Sequence, residues 1–139
     1  MGIDKERILK LIGEIEKALT VLTEFAGKEE AAILGDLKAL GSIKYYFITA
    51  IEACIDICNH ITSKERWGVP DSYSNCFDLL RENNILDKEF SKKMANMAKF
   101  RNALVHLYWK IDDEKVYEFL HSELDSFEKY INKISERYL

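Results

Sequence analysis

The sequence predicts an all-α protein, an antiparallel up-down bundle of about five helices in a single domain spanning residues 1–139. Three observations carry this. Apolar residues recur at spacings of three and four almost throughout, the period of one helix face. Only six glycines and one proline occur in 139 residues, too few for the turns of a loop-rich β-sandwich. Hydrophobic residues make up 47% and charged residues 32%, enough to build a core and too apolar for disorder.

The elements follow from the N-terminus. A first helix shows Ile8, Leu11, Ile15, Leu19, Leu22 and Phe25, with Asp4 as N-cap and Gly27 as its stop. A second stripe runs from about Glu29 to Ile61 as one long helix, bent near Gly41-Ser42. Residues 62–71 form the clear loop, after which Asp71 or Ser72 caps a third helix carrying Phe77, Leu79 and Leu80. Asn83-Asn84 ends it, and Asp87 caps a fourth with Phe90, Met94 and Met97. Asp112 or Asp113 opens the fifth, whose stripe continues from Val116 to Tyr138. Such long stripes need antiparallel neighbours to cover them, and a second copy of the chain would cover what one bundle leaves.

Composition narrows the function. The net charge is −4, so nucleic-acid contact has to be local rather than spread over the surface. No apolar run reaches the roughly 18 residues of a membrane span, and Asp4-Lys5-Glu6-Arg7 replaces any signal-peptide core, which predicts a cytoplasmic protein with no membrane partner. The odd set Cys54, Cys58 and Cys76 reads as buried thiols rather than a disulfide framework. Asp56, Asn59 and His60 read as a polar support network near the end of the second helix, and His121 as a solvated surface histidine.

The informative segment is 100–109, Phe-Arg-Asn-Ala-Leu-Val-His-Leu-Tyr-Trp. Arg101 occupies a position where the fourth helix calls for an apolar residue, and a buried guanidinium needs a partner. Asn102 and His106 are four apart, while Arg101 and Tyr108 are seven apart. Arginine grips phosphate through paired hydrogen bonds, and histidine moves protons near neutrality. Asparagine can orient an oxygen, and tyrosine can stack on a base. No second histidine or carboxylate stands at metal-ligand spacing beside them. The set suits phosphodiester chemistry without a metal or cofactor, on RNA, whose 2′-hydroxyl is a built-in nucleophile. Lys92, Lys93, Lys99 and Lys110 flank the segment, as a solvated face or a guide for a phosphate backbone. The same residues also fit a structural network, and both readings stand at this point. Arg101 and His106 are about 140° apart around an ideal helix and about 7.5 Å along it, so a cleft between two copies of this helix is favoured.

The segment resembles the signature of the HEPN superfamily, an arginine followed after four to six residues by a histidine. It is closest to the HepT-like form R-x4-H-x-Y, here Arg101, His106 and Tyr108. Its flanks agree too: residues 55–60, the loop 69–73, and Ile111-Asp112 before the last helix. The resemblance implies a homodimeric, metal-independent endoribonuclease serving as the toxin of a toxin–antitoxin pair. Taken together with the residue chemistry, it gives Arg101 and His106 as the expected catalytic residues, and Asn102, Tyr108 and Lys99 as expected substrate-binding residues. It also implies an MntA-like nucleotidyltransferase antitoxin that attaches AMP to Tyr108. The alternative is a non-catalytic helical dimer that binds a nucleotidyltransferase partner or a nucleotide.

Overall fold

A computed structural model describes residues 2–106 and 110–139. Its order is α1 (Lys5–Ala26), α2 (Glu30–Leu34), α3 (Leu37–Lys64), α4 (Tyr73–Glu82), α5 (Lys88–His106), α6 (Asp113–Ser122) and α7 (Leu124–Tyr138). Among the described residues there are thus seven helices, not about five. Side-chain caps set most of the starts. Asp4 accepts from the Arg7 N–H, Ser72 from Asn75, Asp87 from Phe90 and Asp112 from Glu114.

The two extra helices come from breaks inside stripes read as continuous. At Gly35-Asp36 the helix stops, and extended Asp36 (φ −122°) turns its carboxylate onto the N–H groups of Lys38 and Ala39, starting α3 afresh. Gly41, the expected bend, lies within the first turns of α3. At Glu123 the backbone leaves helical geometry (φ −117°, ψ 0°), and α7 sets off so that Phe127, Tyr130 and Ile134 all reach the core.

α3 is the axle. Half of its 28 residues are buried, and it packs against each of the other six helices. α1 lies along one flank of it, and α4 pairs with α5 on another. Buried hydrogen bonds tie the layers: the Tyr130 hydroxyl donates to the Cys54 carbonyl, and the Ser91 hydroxyl to the Phe77 carbonyl. An aromatic cluster fixes the outer end of α5. Phe47 of α3 meets Phe100 and Phe119 edge-on at 5.6 and 5.4 Å, and Phe100 stacks on Phe119 at 3.9 Å. Phe47, the fully buried member, is of the kind whose removal typically costs about 3–5 kcal/mol.

The expectation of three free thiols is corrected. The loop after α3 turns the chain back so that Cys58 and Cys76, eighteen apart, meet with a Cα–Cα separation of 6.2 Å and form a disulfide between α3 and α4. Cys54 remains a buried thiol, and burial pushes its ionisation far up. His121 is exposed, but its two ring nitrogens lie 3.1 and 2.9 Å from the carbonyls of Tyr117 and Ala26, so it joins α6 to the end of α1. No helix among the described residues is long and apolar enough to cross a membrane.

Candidate functional site

The site is built where α5 crosses α3. Phe100 is held by the aromatic cluster, so the next residue, Arg101, is turned toward α3 with its side chain only 16% exposed. There it meets Glu52, whose Oε1 accepts from both Nε (3.2 Å) and Nη2. Nη1 donates to the Asn102 Oδ1 at 3.1 Å. The Tyr73 ring, at the start of α4, lies beneath the guanidinium with its centroid 5.7 Å from Cζ. A guanidinium has five N–H donors. Three are used here, which leaves one on each Nη for a ligand.

Asp56 follows Glu52 by one turn of α3 and is exposed. Loss of solvent around its carboxyl pushes it above the usual carboxylate range; Arg7 and Arg101 oppose this, while Glu52 reinforces it. Its neighbours serve the fold. His60 is held below its ordinary value by burial and by Lys64, and its Nε2 accepts from the Asp4 N–H at 3.1 Å. That bond ties the entry of α1 to α3, a support role of the kind expected for this stretch.

The structure therefore brings Arg101 and Asn102 together and adds Glu52 and Tyr73. It does not bring His106 to them. His106 closes α5, is exposed, and makes no hydrogen bond among the described residues. Because α5 is regular up to that point, the 140° divergence from Arg101 stands. Lys99 is exposed two residues before Arg101. Tyr108 lies outside the described residues. Two grooves, about 580 Å³ between α1 and α7 and about 510 Å³ between α5 and α7, are lined by neither Arg101 nor His106. Among the described residues the site presents a prepared cation at the crossing of α5 and α3. Among the described residues no three His, Cys, Asp or Glu side chains converge as a metal-ligand group.

Glu52 and Tyr73 were not singled out as site residues from the sequence. Glu52 did leave a trace there, as a carboxylate inside the apolar run 47–58.

An all-helical bundle with Arg-Asn and His in the last turns of one long helix defines a HEPN-type protein. The match to known proteins narrows this: the family model described as ribonuclease HepT-like fits residues 15–134, and the chain belongs to that family. It is similar to the mRNA nuclease HepT of Shewanella oneidensis, 36% identical over 83 residues, 60% of this chain and 62% of that protein. It is also similar to the tRNA nuclease HepT of Aphanizomenon flos-aquae, 36% identical over 86 residues, 60% and 57% of the two chains. The matched part thus spans about three fifths of the length of these two relatives. Among solved structures, the tri-AMPylated Shewanella oneidensis HEPN toxin in complex with MNT antitoxin superposes with a TM-score of 0.87 at 28% identity, covering 94% of this chain and 97% of that one.

Proposed function

We propose that this chain is a metal-independent endoribonuclease, the toxin of a toxin–antitoxin pair, acting as a homodimer in the cytoplasm. Its substrate is RNA, and its partner is an MntA-like nucleotidyltransferase antitoxin that silences it by attaching AMP to Tyr108. The reading calls for no cofactor. The observation that carries it is the guanidinium of Arg101, pinned by Glu52 and Asn102 with a donor still open on each Nη.

In this mechanism the two open donors bind the non-bridging oxygens of the scissile phosphate and stabilise the charge that builds there. The ribose 2′-hydroxyl gives up its proton to a base and attacks phosphorus. The bond to the 5′-oxygen breaks, and that oxygen takes up a proton. The products are a 2′,3′-cyclic phosphate and a 5′-hydroxyl. His106, exposed and uncommitted, is the general acid or base. Asn102 positions the substrate beside Arg101, Lys99 holds the backbone and Tyr108 shapes the pocket. Since α5 carries Arg101 and His106 in diverging directions, the partner copy supplies the second group of each site. AMP attached to Tyr108 would add bulk and negative charge to the signature segment that carries the phosphate-binding cation.

One observation favours a second reading. Arg101 already has a carboxylate partner, with Asp56 close by, as a non-catalytic dimer that binds a nucleotidyltransferase or nucleotide would allow. The two separate on expression without the antitoxin. The ribonuclease reading expects growth arrest, insensitive to EDTA in the matching RNA-cleavage assay, and relief by His106→Ala in a folded dimer. General acid–base catalysis contributes roughly 10²–10⁴-fold, which sets the expected loss. Arrest that persists with folded His106→Ala overturns the assigned role.

A further inference from the structure

Charge is unevenly divided in this chain. α5 holds Lys88, Lys92, Lys93, Lys99 and Arg101 against Glu89, a net +4, while the whole chain is −4 and the other 120 residues therefore carry −8. The one strongly basic element is the helix that carries the signature.

Its lysines are also ordered. Lys92, Lys99 and His106 are seven residues apart, so on a regular helix they fall within about 40° of one another, at steps of about 10.5 Å along one stripe. All three are exposed. Neither Lys92 nor Lys99 has a carboxylate within ion-pair distance among the described residues, whereas Lys93 leans toward Glu123 at 3.9 Å. Beside the lower end of the stripe runs the groove of about 510 Å³ between α5 and α7, bordered by Lys92, Lys93 and Asn96 on one wall and Lys129 on the other. Lys129 is held over the Phe90 ring at 4.6 Å, facing the same groove. Glu89 and Asp125 also border it and are outnumbered by the three lysines.

We propose that this stripe and groove form a track for the sugar–phosphate backbone of an RNA strand, leading it along α5 for about 21 Å to His106. This rests on the ribonuclease reading and extends its substrate from a single phosphodiester to a strand several nucleotides long. The chemistry selects the occupant: two exposed lysines without an ion-pair partner among the described residues and an exposed imidazole at even spacing, with Lys129 across the groove, match a flexible polyanion. The track is local, so an acidic protein can still hold RNA along one edge.

The test uses the full chain and a fluorescent 20-nucleotide 2′-O-methyl RNA, which binds but offers no nucleophile, with anisotropy read at several salt concentrations. Lys92→Gln/Lys129→Gln should weaken binding about tenfold and flatten the slope of log affinity against log salt by about 1.4, two contacts at roughly 0.7 each. Lys10→Gln/Lys17→Gln on α1 makes the same change in net charge away from the track and should leave both unchanged. Equal weakening in both pairs, or an unaltered slope in the first, overturns the track. Circular dichroism establishes that each variant is folded. A wild-type protein that cleaves no RNA overturns the ribonuclease reading instead, so the two failures are told apart.

Discussion

Arg101 and His106 sit five residues apart on the same helix and differ in almost every physical respect. Arg101 is turned inward, mostly covered, and held by a carboxylate, an amide and an aromatic ring. His106 is exposed and held by nothing described. Phosphate binding needs a cation at a fixed place, and one chain supplies that. Proton transfer needs a group that reaches a partner atom, and one chain leaves that group open. On the proposed mechanism, the contrast means that folding prepares the electrostatic half of the site and that assembly of two copies would complete the proton-transfer half.

The sharpest way to break that contrast is complementation. Arg101→Ala and His106→Ala should each be inactive. If each site takes its arginine from one copy and its histidine from the other, co-expressing the two variants in equal amounts restores roughly a quarter of wild-type cleavage, since half of the dimers are mixed and each has one intact site. No recovery in dimers shown by mass to be mixed would place both groups in one chain.

A second experiment tests the prepared half. Glu52→Gln keeps an acceptor near Arg101 but removes the charge. Hydrogen bonds to a charged group are worth about 1.5–3 kcal/mol, so a partly exposed pair at the low end predicts a loss of about tenfold in kcat. KM should not rise, because the site becomes more positive. An unchanged kcat would mean that Arg101 holds its position without Glu52.

The smallest effect lies away from the chemistry, at His60. Its neutral ring accepts the Asp4 N–H, and burial lowers its protonation below the ordinary 6.5. The unfolded ring therefore takes a proton at higher pH than the folded one, and stability falls as the pH drops through 6.5 toward the folded value. Melting temperatures at pH 7.5 and 5.5 should differ less in His60→Gln than in the wild type. An equal difference would deny the tether its role.

What the sequence disclosed follows the range of the interactions. Helix starts at Asp4, Ser72, Asp87 and Asp112 were legible because a cap acts within three residues. The restart at Asp36 had the same kind of signal, an aspartate after a glycine, but the apolar stripe ran across it and masked it. The break at Glu123 has no glycine or proline to mark it. Arg101 was legible as a charged residue in an apolar register, and Asn102 as a polar residue four before His106 on the adjacent face. Their partners were not: Glu52 lies 49 residues away and Tyr73 on another helix, and periodicity says nothing about which faces meet. The Cys58–Cys76 link was hidden for the same reason, since it depends on how the loop after α3 returns the chain.

Among the described residues, two ionic contacts of α3 share one ruler. Lys44, buried, reaches Asp113 at 3.0 Å at the head of α6, and Glu52 holds Arg101 near the tail of α5. Eight residues, about 12 Å of helix, separate the two posts. Arg101 of α5 and Asp113 at the head of α6 are thus each tied to α3, at posts a set distance apart along it. One residue inserted anywhere from 45 to 51 would rotate one post by about 100° relative to the other, while single replacements on the outer face of that stretch would leave the spacing intact.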